Sequence, residues 1–245
     1  GRSSGRETIG RVAAGAVAAK ILEGIGVRVT AYTKAIGNIQ VQPERFDMEE
    51  CSRNMLYMPD ASAAAEAQMF LEENMAQMDS TGGIVECVIQ GVPAGIGEPV
   101  FEKLDANLAK AICSIGAVKG FEIGDGFEAA KTTGALNNDA FCISPDGRVG
   151  NRTNHAGGIL GGISDGTEIV FRAAFNPTPS IASPQKTVNR DGGEIEISVK
   201  GRHDPIIVPR AVVVVEMMAA FTVADMMLAG MTARMDRVRE FYLEV

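Results

Sequence analysis

At 245 residues, 46% of them hydrophobic, the chain is long enough to bury the core of one large domain or two small ones. A formal net charge of −8, few aromatics and no tryptophan argue against a nucleic-acid binder, which needs a basic face and stacking side chains. The first residues are polar and charged with no apolar run behind them, so no signal peptide is read there and a cytoplasmic protein is expected.

In chain order, "GRSSGRET" opens with Ser4 three residues ahead of Glu7, the spacing of a capping box that starts a helix at about Gly5. The helix "ETIGRVAAGAVAAKILEG" then aligns Ile9, Val12, Ala13, Ala16 and Val17 on one face and is stopped by Gly24 and Gly26. "VRVTAYT" alternates like a strand, and "ASAAAEAQMFLEENMAQMD" returns to helical spacing behind Pro59 and Asp60. "GIVECVIQGV" reads as a strand, "PAGIGEP" as a turn, "VFEKLDANLAKAICSI" as an amphipathic helix and "VKGFEIG" as a short strand.

Residues 132–166 are rich in Gly, Asn, Asp and Thr without clear periodicity, a length more often functional than idle. "TEIVFRAAF", "QKTVNR" and "GEIEISV" are strand-like, and a last long helix follows "GRHDP". That helix, "AVVVVEMMAAFTVADMMLAG", carries Glu216 and Asp225, charges that are expensive at membrane depth, so it reads as a core helix rather than a membrane span. Without a regular β-α-β rhythm or a dinucleotide-binding glycine turn, the pattern fits an α+β layered sandwich in a single domain over 1–245. "GRSSGRET" and "GRHDPIIVPR" each set Gly-Arg and polar residues before an Ala/Val-rich helix, an echo that a pseudo-dyad or chance explains equally well.

Cys51, Cys87, Cys113 and Cys142 form no C-x-x-C pair and are expected as four buried thiols in a reducing compartment. His155 and His203 lack metal-ligand spacing, and no metal site is read. A helix N-terminus flanked by serines and arginines has the chemistry of an anion site, though Ser4 is equally readable as a simple cap. Asp204 reads either as a cap before Pro205 or as a carboxylate base held near a cation. The glycines of "NHAGGILGGISDG" let a ligand approach the backbone closely, but they have no phosphate-loop spacing. A kinase reading lacks both a P-loop lysine and a magnesium carboxylate set.

"GRSSGRETIGRVAAGA", "VPAGIGEPVFEKLDANLAKAICSIGAVKGFEIGDGF", "NHAGGILGGISDG" and "GRHDPIIVPRAVVVVEMM", in that order, resemble successive signature segments of the chorismate synthases. The resemblance implies a β-α-β sandwich with long helices between antiparallel sheets, assembled as a homotetramer. It also implies a lyase that converts 5-enolpyruvylshikimate-3-phosphate to chorismate by anti 1,4-elimination of phosphate. Reduced FMN is the implied cofactor and NADPH a candidate reductant; neither nucleic acid nor membrane is an implied partner.

By the same resemblance, Arg2, Ser3, Ser4, Gly116, Ala117, Gly161, Arg202 and the stretch Asn176, Pro177, Thr178, Pro179 and Ser180 would meet the flavin. Ser4, Arg6 and Arg202 would reach the substrate's anionic groups, and Asp204 would be catalytic, acting with the flavin in removal of the ring proton. Two departures stand out: Asn176 occupies the place of a usual lysine, and Gly116 that of a frequent asparagine. The family's Gly-Glu-Ser-His and Arg-Pro-Gly-His-Ala-Asp segments, which carry its two catalytic histidines, have no counterpart here. The chain is therefore expected to be the C-terminal portion of a longer enzyme, with a non-catalytic flavin- or anion-binding fragment, or an assembly subunit, as the alternative.

Overall fold

The computed structural model describes residues 4–143, 147, 149–199, 201 and 204–243. Ser4 caps a 3-10 turn, Gly5–Glu7, by accepting from the Arg6 N–H, and α1 (Thr8–Glu23) follows. The expected capping box is not made. Glu7 does not reach back to Ser4 but pairs with Arg11 one turn ahead, 2.9 Å away, so the first turn tightens instead of closing reciprocally.

The chain continues through β1 (Arg28–Ile36), β2 (Ile39–Gln40), α2 (Ala61–Ala76), β3 (Gly83–Gln90), α3 (Leu104–Cys113) and β4 (Val118–Ile123). The stretch without sequence periodicity resolves into four short strands and one helical turn: α4 (Gly134–Asn137), β5 (Phe141–Ile143), β6 (Val149–Asn151), β7 (Ile159–Leu160) and β8 (Ile163–Ser164). After it come β9 (Ile169–Phe175), β10 (Gln185–Val188), β11 (Glu194–Ile197), α5 (Val208–Gly230) and α6 (Met235–Leu243), the last a helix not expected from the sequence. The fold is α+β. A five-stranded sheet has the order β2-β1-β3-β9-β4, and three antiparallel hairpins, β5-β6, β7-β8 and β10-β11, complete the strands.

Two compact units divide the chain: Gly1–Ala31, Glu86–Ala173 and Val213–Val245 form one, and Tyr32–Val85 and Ala174–Val212 the other. In the first unit, the buried side chains include Leu22, Ile89, Leu108, Ile112, Phe171 and Val223. β9 buries every second residue, Ile169, Phe171, Ala173 and Phe175, as an apolar/polar alternation dictates. Helix α1 buries Gly15, Ala18 and Leu22, whereas Ile9 (71% exposed), Ala13, Ala16 and Val17 (63% exposed), expected together on the buried face, point outward. The reason lies in Gly15, where an added Cβ would come within 2.3 Å of the Met217 carbonyl oxygen, so the helix turns its smallest residue toward α5.

α5 contributes more than apolar surface. Its Glu216 accepts from the Ala31 N–H of β1 at 2.9 Å, satisfying a backbone donor of that strand. Burial pushes the Glu216 carboxyl above its ordinary range, partly offset by that bond. α5 is long and apolar enough, by length and composition alone, to cross a membrane, yet 56% of its most apolar window is buried within the fold.

In the second unit the organising group is Asp60, whose side chain has no exposed surface. It caps α2 through the Ser62 and Ala63 N–H groups, accepts from the Gln42 N–H and pairs with Arg45 at 2.9 Å. Burial pushes the Asp60 carboxyl up, but the Arg45 bond and the backbone donors outweigh that and hold its pKa at about 2. Cys51 and Cys87 are buried, as expected of thiols, whereas Cys113 is exposed and Cys142 half-buried. Burial lifts Cys51 to about 11, so this thiol stays protonated at neutral pH.

Two measurements check these packing arguments. Gly15→Ala is expected to destabilise by about 1–3 kcal/mol through overpacking, and Gly10→Ala, where nothing lies within 4 Å, to stabilise by about 0.5–1 kcal/mol; urea midpoints of the pair read both signs. The Asp60 pKa is lower in the folded chain than its ordinary 3.8, so its contribution is full above about pH 4 and is lost as pH falls toward 2. Acid titration of stability should therefore show a loss on the order of 2 kcal/mol across that window, which Asp60→Asn removes.

Candidate functional site

The described residues expected to bind ligand fall into two groups, one in each unit. In the second unit, residues 176–183 follow β9 and lie against the turn that leads into β3. The Ser80 hydroxyl donates to the Thr178 carbonyl (2.7 Å), the Ser183 N–H to the Met78 carbonyl (3.3 Å) and the Thr81 N–H to the Pro205 carbonyl (2.9 Å). Gly82 makes this approach possible, because a Cβ there would meet the Phe175 carbonyl oxygen at 2.3 Å. A cavity of about 190 Å³ results, lined by Met75, Met78, Asp79, Ser80, Ile181, Ala182 and Pro205.

Pro205 lines this cavity, and Asp204, which precedes it in the chain, is one-third exposed. It is bonded to Arg210, which donates Nη1–H to Oδ2 at 2.5 Å. The carboxylate is held by a cation from the first turn of α5.

The stretch 176–180 carries an unusual feature. Asn176 Oδ1 and Thr178 Oγ1 are buried and have no hydrogen-bond partner, two of the three such side-chain atoms among the described residues; Thr33 Oγ1 is the third. Buried polar atoms are nearly always paired, so two orphans within three residues set this segment apart. The Asn176 amide is oriented by its own Nδ2–H, which donates to the Pro177 carbonyl at 3.0 Å and leaves the oxygen as the orphan.

In the first unit, Ser4 and Arg6 lie on the 3-10 turn that leads into α1. Arg11 ties that helix to the end of α3, donating Nη1–H to Ser114 Oγ at 2.6 Å and Nη2–H to the Ser114 carbonyl at 3.4 Å. Gly116 and Ala117 follow at once, with Ala117 at φ +72°, a left-handed conformation that costs a non-glycine residue about 1–2 kcal/mol.

Gly161 is one half of the Gly-Gly turn that closes the β7-β8 hairpin, with φ +61° and +88° at Gly161 and Gly162, the signs of a type I′ turn. Open space lies where a Gly161 side chain would be. The hairpin is anchored on the "PAGIG" turn: Ser164 donates its hydroxyl to the Pro93 carbonyl and accepts from the Ile96 N–H, and Leu104 at the start of α3 donates to the Gly162 carbonyl. Gly161 is therefore near one end of α3 and Gly116 near the other, separated by a ten-residue helix, about 15 Å along its axis. Arg2, Ser3 and Arg202 lie outside the described residues.

Three clusters had no signal in the sequence. Asp139 accepts from the Thr153 hydroxyl (2.6 Å) and from the N–H groups of His155 (2.8 Å) and Ala156 (2.9 Å), fixing the turn that opens the Gly-rich run. Desolvation works against its ionisation, but these donors prevail and hold its carboxyl below the usual range. Asp125 bonds the His155 ring at Nδ1 (2.7 Å), while Gly124 and Gly157 meet backbone to backbone with no room for a Cβ on either. Arg172 of β9 spans Glu86 of β3 and Glu122 of β4 at 3.2 and 2.5 Å and also bonds the Gly124 carbonyl. Aspartates scattered over a loop-rich stretch do not announce which backbone they bind, and the only available signal was the density of Asn, Asp and Gly itself.

The family model for chorismate synthase matches residues 1–228. The chorismate synthase of Lachnospira eligens is 64% identical over 242 residues, covering 99% of this chain and 66% of that protein, and that of Agathobacter rectalis is 62% identical over the same span. A crystal structure of a chorismate synthase superimposes with a TM-score of 0.78 at 30% identity, covering 98% of this chain and 69% of the other. The chain spans just under two thirds of the length of the curated relatives it matches.

Replacing Asp139 by Ala strands two backbone N–H groups and a hydroxyl at the root of the Gly-rich run. A stability loss of about 1–3 kcal/mol is expected, with amide exchange accelerated at 155–162 and unchanged in α2; unaltered exchange at 155–162 would refute the anchoring role.

Proposed function

The chain belongs to the chorismate synthase family, and from that premise we propose that it carries the flavin side and part of the substrate side of a lyase. The lyase converts 5-enolpyruvylshikimate-3-phosphate to chorismate and phosphate. The reaction removes a ring proton and expels phosphate across a 1,4 relationship, so the site needs a proton acceptor, a grip on anionic groups and a dry surface for the ring. What supports the reading in this chain is the family match over residues 1–228, together with Asp204, whose carboxylate is held by Arg210, and the 176–180 segment with its two orphaned oxygens.

In this reading Asp204 holds the proton-accepting function. Arg210 fixes its orientation by binding Oδ2. Ser4 and Arg6 receive the substrate's negative charge at the entrance to α1, where backbone N–H groups and the helix dipole favour an anion. Residues 176–180 hold the cofactor through hydrogen bonds. Reduced FMN, when bound, supplies electron density that eases departure of phosphate. A single-domain organisation, a homotetramer and a cytoplasmic location complete the proposal, with NADPH as the candidate source of reducing equivalents.

The alternative reading is a non-catalytic flavin- or anion-binding fragment or an assembly subunit. Anaerobic incubation with reduced FMN and 5-enolpyruvylshikimate-3-phosphate separates the two. Chorismate formation supports the lyase, and flavin binding without chorismate supports the binding fragment.

Where turnover is seen, Asp204→Asn is expected to lower it by about 10²-fold or more while FMN affinity stays within about twofold. A parallel loss of both would assign Asp204 a structural role.

A further inference from the structure

Residues 44–79 hold nine acidic residues against two arginines and no lysine, so all but one unit of the chain's net charge of −8 comes from this stretch of the second unit. Arg45 is committed to buried Asp60, and Arg53 is shared among Asp47, Glu49 and Glu50 at 3.8, 2.9 and 3.4 Å. Six of the chain's twelve methionines lie in the same stretch, and five of them, Met48, Met55, Met69, Met75 and Met78, are exposed.

A groove of about 350 Å³ opens here, between the turn at 50–56 and α2. Leu56, Ala61, Ala64 and Ala65 give it an apolar lining, and Met55, 88% exposed, borders it. Its wall is preorganised by Asn54, whose side chain donates to the Glu50 and Met58 carbonyls and accepts from the Leu56 and Met58 N–H groups at 2.8–3.2 Å. On α2 the same face continues through Gln68 to Glu72 and Met75 at helical spacing, a track of about 21 Å from Ala61.

Small residues leave room for a bulky apolar side chain, and methionine adapts its shape to whatever packs on it. The acidic border selects the charge of the occupant: it repels nucleic acid, an anionic membrane and the same face of a second copy, and attracts lysine and arginine. We propose that this groove docks a basic amphipathic helix of a partner protein, its apolar side chain seated over Ala61, Ala64 and Ala65 and its cations facing Glu49, Glu50 and Glu72. None of the residues that line the groove belongs to the proposed lyase site, so the docking surface stands or falls apart from the flavin reading.

The test follows the fluorescence anisotropy of a labelled Leu/Lys peptide of about 18 residues with leucines at helical spacing, titrated with this chain. Saturable binding is expected, weakened by salt and at least about 10-fold tighter than that of a scrambled peptide of the same composition. Ala65→Trp fills the groove from an exposed position and is expected to weaken the helical peptide about 10-fold or more at an unchanged urea midpoint. Glu49→Lys is expected to weaken it about 3- to 10-fold, and Glu23→Lys, the same charge change on α1, by less than about twofold. Hydroxyl-radical footprinting of the wild-type chain should show Met55 protected by the peptide and Met235 of α6 unprotected.

Absence of binding overturns the proposal. Equal binding of helical and scrambled peptides, or of wild type and Ala65→Trp, reduces the attraction to charge alone and overturns it as well, as does protection of Met235 in place of Met55. A dimer in light scattering that Ala65→Trp dissolves makes a second copy the occupant and removes the partner protein.

Discussion

The contact of α1 with α5 at Gly15 governs the first unit. Helix axes normally stay 8–10 Å apart because side chains keep them so, and a glycine facing the Met217 backbone removes that spacer. The close approach sets the rotation of α1, which is why Ala18 and Leu22 are inside while Ile9 and Val17 are not. On α5, the residue before Met217 is Glu216, and its carboxylate occupies an N–H of β1 that would otherwise be unpaired. A buried acid is a costly way to satisfy a strand, and its raised pKa records that cost.

Much of the fold was legible because its signals are local. Asp60 behind Pro59 announced the start of α2, and "TEIVFRAAF" announced the strand β9. The rotation of α1 was not legible, since a helix of Ala, Val, Ile and Gly is apolar on several faces and only the partner helix decides which face is buried. The capping-box spacing at Ser4 and Glu7 misled for a related reason: Arg11, one turn ahead, offered Glu7 a charged partner that outcompetes a backbone N–H. α6 gave no comparable signal, because it is short and buries nothing.

The site divided along the same line. Asp204, Gly161 and the 176–180 stretch came from resemblance, and the structure adds partners that no motif encodes: Arg210, Ser80 and the orphaned oxygens. Asp139, Asp125 and His155 form a frame in which one carboxylate holds a turn and another holds the imidazole inside that turn. Long-range pairing between loops is invisible to periodicity, because the partners are set by chain topology rather than by spacing.

The Gly-Gly tip of the β7-β8 hairpin has an evolutionary consequence. Both residues sit at positive φ, where L side chains are strained, and Gly162 has Lys103 against it as well. Whatever meets this tip is met by backbone, so its selectivity cannot be tuned by substitution at 161 or 162. Variation enters from the flanks, at exposed Leu160 or half-buried Ile163, and the tip itself stays a fixed point of bare backbone.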